Sequence, residues 1–159
     1  MKSINIIISV SYSQLCLFLA TIPDPFNFWT DLHVDQGFTW REGSVGFRTL
    51  VESGSHSVQL EFVDIFDELD SNAVRAFQVP FSIPIDTNIE VASISDSTLL
   101  TLPPENYALR CVFYGAQEDG VEFVKLIFCK AKDAIFSVLR ADSCLSVPGE
   151  LVTTAEAAD

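Results

Sequence analysis

Phe77-Gln78-Val79-Pro80-Phe81-Ser82-Ile83-Pro84-Ile85 places a large apolar side chain on every second position of nine residues. Side chains of an extended chain alternate between two faces, so a period of two specifies a strand with one packed face and one wet face. A helix needs a repeat near 3.6 residues and does not tolerate Pro80 and Pro84 in its interior. Neither proline can donate to a ladder, which predicts that this strand is an edge or leaves its sheet early.

The same alternation recurs on both sides. Val58, Leu60 and Phe62 alternate with Ser57, Gln59 and Glu61, while Tyr107, Leu109, Cys111 and Phe113 alternate with Ala108, Arg110 and Val112. Val45, Phe47 and Val51 suggest another strand, and Ile89–Ile94, Leu99–Leu102 and Ile135–Leu139 suggest short ones. Val121–Lys130 is apolar at nearly every position, as in a strand covered on both faces, and Gly115–Gly120 reads as the hairpin loop before it. Ile6-Ile7-Ile8 and Leu15–Ala20 form either two strands or one long bent strand. Helical patterns are scarce, with a turn or two expected at Asp64–Val74 and another at Asp31–Gln36. The expectation is all-β: an antiparallel β-sandwich of about eight to ten strands with one or two short helical turns. One domain is expected over residues 1–140, followed by a small-residue, acidic tail over 141–159 that is either docked or flexible.

Composition supports a full core under an acidic surface. The 159 residues are 48% hydrophobic with 13 Phe, yet 22 Asp and Glu face only nine Lys and Arg, for a net charge of −13. Acidic disordered chains lack such aromatics. A folded surface of this sign repels polynucleotide and attracts basic proteins, so direct nucleic-acid binding is not expected. Met1-Lys2 and the two apolar runs imitate a secretory leader, but Asn5, Ser9, Ser11, Tyr12, Ser13 and Gln14 break the run too early. No membrane insertion and a cytoplasmic location are expected. Cys16, Cys111, Cys129 and Cys144 show no paired spacing, and the first three fall in apolar strands as buried free thiols.

Catalytic and metal-binding patterns are weak. Asp31-Leu32-His33-Val34-Asp35, if extended, brings three polar groups to one side, the arrangement a divalent-ion site or a hydrolase would use; one imidazole with spaced carboxylates lacks a ligand signature. His56 follows Gly54-Ser55 and reads as a turn residue. No Gly-x-Ser-x-Gly elbow or phosphate loop occurs, and Cys144 with His33 lacks a cysteine-enzyme context. No cofactor, metal or enzymatic activity is expected. Trp29 and Trp40 bracket what reads as a loop containing Phe38, and either anchor the core or line a ligand or carbohydrate groove.

The sharpest local feature is Asp64-Ile65-Phe66-Asp67-Glu68-Leu69-Asp70. On a helix-like turn Ile65, Phe66 and Leu69 pack inward while four carboxylates project outward. Such an anionic protrusion can pair with the Lys and Arg that hold phosphates in a nuclease groove, or reach its catalytic cation. The candidate partner-binding residues are therefore Asp64, Asp67, Glu68 and Asp70, with Asp31 extending the field and Trp29 as an aromatic contact.

Several blocks, in order, resemble the bacterial competence protein J family. They are Ile8–Gln14, Trp29-Thr30-Asp31, Gly37-Phe38, Gly43–Phe47, Gln78–Phe81, Ile89–Ile94 and Leu102–Cys111, within roughly Ile6 to Phe128. The resemblance implies a non-enzymatic inhibitor of a bacterial endonuclease, of competence or toxin type, that blocks a basic active-site cleft. The acidic run is not among the resembling blocks, and its inhibitory role is a reading of its chemistry alone. A ligand- or carbohydrate-binding module remains the alternative.

Overall fold

The computed structural model describes residues 2–159; Met1, where the leader-like stretch begins, lies outside them. The elements run β1 (Lys2–Val10), β2 (Gln14–Leu19), α1 (Asp31–Gln36), β3 (Phe38–Arg41), β4 (Ser44–Arg48), β5 (Gly54–Val63), β6 (Arg75–Ile83), β7 (Ile89–Ser93), β8 (Asp96–Leu100), β9 (Glu105–Ala116), β10 (Glu122–Lys130) and β11 (Ser137–Arg140). A six-stranded sheet, β1-β5-β10-β9-β6-β11, faces a five-stranded sheet, β3-β4-β2-β7-β8. The fold is all-β, and the alternating residues fill the space between the sheets. Val58, Leu60, Phe77, Val79, Leu109, Cys111, Val124 and Leu126 from one sheet meet Leu15, Leu17, Phe38, Val45, Phe47 and Val91 from the other.

Within this plan the structure corrects several details. The described residues hold eleven strands, not eight to ten. The extra one is β3, where Phe38 is fully buried and Trp40 is partly buried against the core, so this stretch is no loop. Its hairpin to β4 turns at Gly43, whose φ of +85° suits glycine. Val51 lies beyond β4 and is exposed, and Ile85 lies beyond β6 because Pro84 ends the ladder. The Pro80 rule holds over half of β6: β11 pairs only with Ala76, Phe77 and Gln78, leaving that side open from Pro80 onward. The N-terminal run is two strands, turned at Tyr12 and Ser13 with φ of 56° and 58°.

One pairing is parallel, β5 with β10, from Glu122 opposite His56 to Cys129 opposite Val63. Since β9 is antiparallel to both β10 and β6, strands β5 and β6 run in the same direction with two strands between them. The segment Asp64–Val74 must therefore cross about 14 Å of sheet and return about 17 Å along it. That diagonal exceeds the roughly 16 Å that eleven helical residues span. A wholly helical segment is thus too short, and the expected turn or two is also absent: the segment is an extended strap over the outer face of the six-stranded sheet. Among the described residues the only helix is α1, so no helix is long and apolar enough to cross a membrane.

Candidate functional site

The strap is held by its apolar residues, its backbone and one of its four carboxylates, that of Asp70. Leu69 packs with Ala73, Ala76, Val112 and Ile127 on the outer face, and Phe66 lies under Arg110, whose guanidinium carbon is 3.9 Å from the ring centre. Ile65 does not pack inward; it is 79% exposed. Arg140 Nη1 donates to the carbonyls of Asp70 and Ala73 at 2.8 Å each. The Tyr114 hydroxyl donates to Asp70 Oδ2 at 2.6 Å. Burial, then that hydrogen bond and the charges of Asp70 and Glu61, push the Tyr114 phenol well above its usual range.

Asp64, Asp67, Glu68 and Asp70 are all exposed. They overlie cations, however. Arg110 and Lys125 line the hollow beneath the strap and Arg140 braces its end, with Lys125 Nζ 3.6 Å from Glu61 Oε1. The local field of the run is thus weaker than four carboxylates suggest.

Trp29 and Asp31 sit elsewhere. Residues 20–30 cross the outer face of the five-stranded sheet, where Trp29 Nε1 donates to Gln14 Oε1 at 3.1 Å. The Trp29 ring lies so close to Gly46 that a Cβ there would stand 3.1 Å from its Cζ2. The two groups of candidate residues therefore occupy opposite faces of the sandwich. Trp40 faces the other way, its Nε1 donating to Pro80 O at 2.7 Å and its ring edge-on to Phe136. Since Phe38 is buried beside it, Trp29, Trp40 and Phe38 line no common groove.

The segment with Asp31, His33 and Asp35 is helical, which separates its polar groups. Asp31 and Asp35 share one side at a spacing of four, while His33 turns inward. Thr30 caps the helix: its backbone N–H donates to His33 Nδ1 at 3.0 Å, and its Oγ1 accepts from the His33 amide. An obligate donor on Nδ1 leaves the proton on Nε2, which donates to Thr154 O at 2.9 Å. Both ring nitrogens serve the backbone, so His33 is a structural clamp and neither a ligand nor a base paired with Cys144.

That clamp is part of a larger one. Gln36 is fully buried; its Nε2 donates to Phe38 O and Val152 O at 2.9 Å, and its Oε1 accepts from the Val152 amide at 2.8 Å. Further along, the Phe28 amide donates to Glu156 O and the Ala158 amide to Phe26 O, both at 2.8 Å. The tail runs antiparallel to residues 26–28 and meets them in one isolated bridge, Asn27 with Ala157. Nothing local in Gln36 or His33 announced this role, since the partner is more than a hundred residues away. His56 is not a turn residue but a fully buried member of β5, facing inward with Val58 and Leu60.

The family model described as Competence protein J (ComJ) matches residues 7–130. The chain belongs to this family. A solved structure described as ComJ, inhibitor of the DNA degrading activity of NucA, from Bacillus subtilis, aligns with a TM-score of 0.68 at 21% identity. The alignment covers 82% of this chain and 98% of that one. At this identity the likeness is one of fold. A comparison with curated proteins gives no match. The family match ends at Lys130, so β11 and the tail clamped by His33 and Gln36 lie outside it.

Proposed function

We propose that this chain is a non-enzymatic inhibitor of a DNA-degrading endonuclease, binding the enzyme and blocking the basic groove that otherwise holds DNA. The observation that carries this reading is the family match over residues 7–130, joined to a shared fold with a protein described as a nuclease inhibitor. The net charge of −13 supports it independently, since an anionic surface competes with polynucleotide for the same cations. Two surfaces offer carboxylates: the strap with Asp64, Asp67, Glu68 and Asp70, and the opposite face with Trp29 and Asp31. A one-to-one contact of ordinary size uses one of them.

The test is titration of a purified endonuclease of the same organism with the full chain, following degradation of plasmid DNA. Loss of activity near one molar equivalent, relieved by raising the DNA concentration, is the expected result. Undiminished degradation at tenfold excess rejects the reading. Inhibition that is insensitive to DNA concentration rejects the groove-blocking mechanism while keeping the inhibitor.

A further inference from the structure

The face bearing Trp29 and Asp31 has features that the strap lacks. Tyr12, Phe28 and Leu32 are 75%, 55% and 50% exposed, and Val34 is exposed on the same helix. Grooves flank α1 on both sides. One, of about 740 Å³, runs between α1 and the tail, walled by Phe28, Leu32, Val152 and Ala155, with Asp31 and Glu156 on its rim. The other, of about 390 Å³, lies among Tyr12, Trp29 and Val34. Singly exposed apolar residues are ordinary, but here they wall grooves on both sides of one short helix, and aromatic side chains beside such grooves are favoured as interface anchors.

Charge and rigidity point the same way. No Lys or Arg lines the larger groove, and Arg48, which borders the smaller one, donates to Val34 O and Cys144 O at 3.1 Å each. The strap, by contrast, lies over Arg110 and Lys125 and is braced by Arg140. The short helix is fixed at both ends, by the Thr30–His33 cap and by Gly37, whose φ is +94° and whose N–H donates to His33 O. A surface ordered before binding loses little freedom on association.

We propose that the α1 face is the docking surface, and that its occupant is a basic protein surface that seats an apolar side chain in the groove between α1 and the tail. Lys or Arg around that side chain meet Asp31 and Glu156. This assignment rests on the inhibitor reading above and selects one of its two surfaces. Because Val152–Glu156 lies outside the family match, this wall makes the choice of partner a property of this chain and not of the whole family. A second copy of the chain is a poor occupant, since it brings a like charge of −13 to the contact.

The experiment titrates the purified endonuclease with the full-length wild type, the pair Phe28→Ser/Leu32→Ser, the pair Asp31→Lys/Glu156→Lys and the pair Asp67→Lys/Glu68→Lys, each checked by thermal unfolding. The apolar pair is expected to weaken inhibition by about 30-fold or more, as for truncated central anchors. The Asp31/Glu156 pair is expected to slow association about tenfold at low salt, an effect that fades near 1 M salt where screening is complete within about 3 Å. If the apolar pair fails to fold, the charge pair, which keeps the apolar surface, decides the matter alone. Inhibition unchanged in both α1-face pairs, or loss confined to the strap pair, overturns the assignment while the inhibitor reading stands. A wild type that restrains no host endonuclease overturns both. Self-association abolished by Phe28→Ser/Leu32→Ser assigns the groove to a second copy and likewise overturns the proposal.

Discussion

Arg75 and Asp142 grip each other through two parallel hydrogen bonds, Nε to Oδ1 at 2.7 Å and Nη2 to Oδ2 at 3.0 Å. Arg75 opens β6 and is 1% exposed, and its Nη1 donates to the carbonyls of Arg48 and Thr49. One buried guanidinium thus ties together the end of β4, the start of β6 and the chain after β11. Burial alone raises the Asp142 carboxyl, but the hydrogen bonds and charge of Arg75, with the backbone N–H groups of Asp142 and Cys144, hold it below its usual value.

Asp142→Ala leaves that guanidinium buried without its counter-charge, which is expected to cost on the order of 3 kcal/mol. Urea unfolding at pH 7 measures the loss. Because the folded carboxyl titrates below the unfolded one, the contribution is fully present above about pH 4 and disappears as pH falls through the folded value. The gap between wild type and Asp142→Ala should therefore narrow in acid. A gap under about 0.5 kcal/mol at pH 7 rejects the clamp.

Gln36→Leu keeps the bulk but removes three hydrogen bonds to Phe38 and Val152. Each backbone group left buried and unpaired costs about 1–3 kcal/mol. Because the bonds to Val152 hold the tail, the amides of residues 152–158 should lose hydrogen-exchange protection, whereas those of β9 and β10 keep theirs. Equal loss throughout the molecule would mean that Gln36 supports the core in general and not the tail in particular.

The strands were legible because packing between two sheets imposes a period of two, and Phe77, Val79, Phe81 and Ile83 display it without interruption. The same alternation, carried one step back from Val58, places His56 inside, so that signal was present in the sequence. The family was legible too, in blocks whose span of roughly Ile6 to Phe128 nearly coincides with the matched residues 7–130. The strap's path was not. It follows from the parallel pairing of β5 with β10, a contact between residues 66 positions apart that no local pattern encodes. The docking of the tail on His33 and Gln36 is non-local in the same way. With it went the separation of Trp29 and Asp31 from the acidic run, since a linear chain does not say which carboxylates share a face.

The four cysteines should divide sharply by reactivity. All are unpaired; Cys16, Cys111 and Cys129 are buried and Cys144 is exposed. Burial pushes the Cys16 thiol up to about 12 and holds Cys111 well above the usual range against the opposing pull of Arg75. A thiol is nucleophilic as its thiolate, so a water-soluble thiol reagent at pH 8 should label one equivalent of native protein and four in denaturant. Peptide mapping should find the native label on Cys144. Rapid native labelling of Cys16 or Cys111 would contradict the closed core.

The fully buried His56 gives the protein a pH dependence of definite sign. Its Nδ1–H donates to Gly54 O at 2.9 Å, which leaves Nε2 as a lone pair, and that atom is buried with no hydrogen-bond partner. Burial lowers the imidazole below its usual 6.5, and the Gly54 carbonyl and the Glu122 charge restore only part of the shift. The folded state therefore resists a proton that the unfolded chain accepts readily. Stability is complete above about pH 6.5 and falls as pH drops from there through the folded value. At pH 5.5, one unit below the unfolded value, the cost is at most about 1.4 kcal/mol. His56→Leu removes the titration, although it strands the Gly54 carbonyl and lowers stability at every pH. The informative quantity is consequently the change in unfolding free energy between pH 7.5 and 5.5, compared between the two proteins by urea titration. His33 and the carboxylates are common to both and cancel. The wild type should lose more than the variant over this interval; equal losses would mean that His56 takes its proton as readily in the fold as in the unfolded chain.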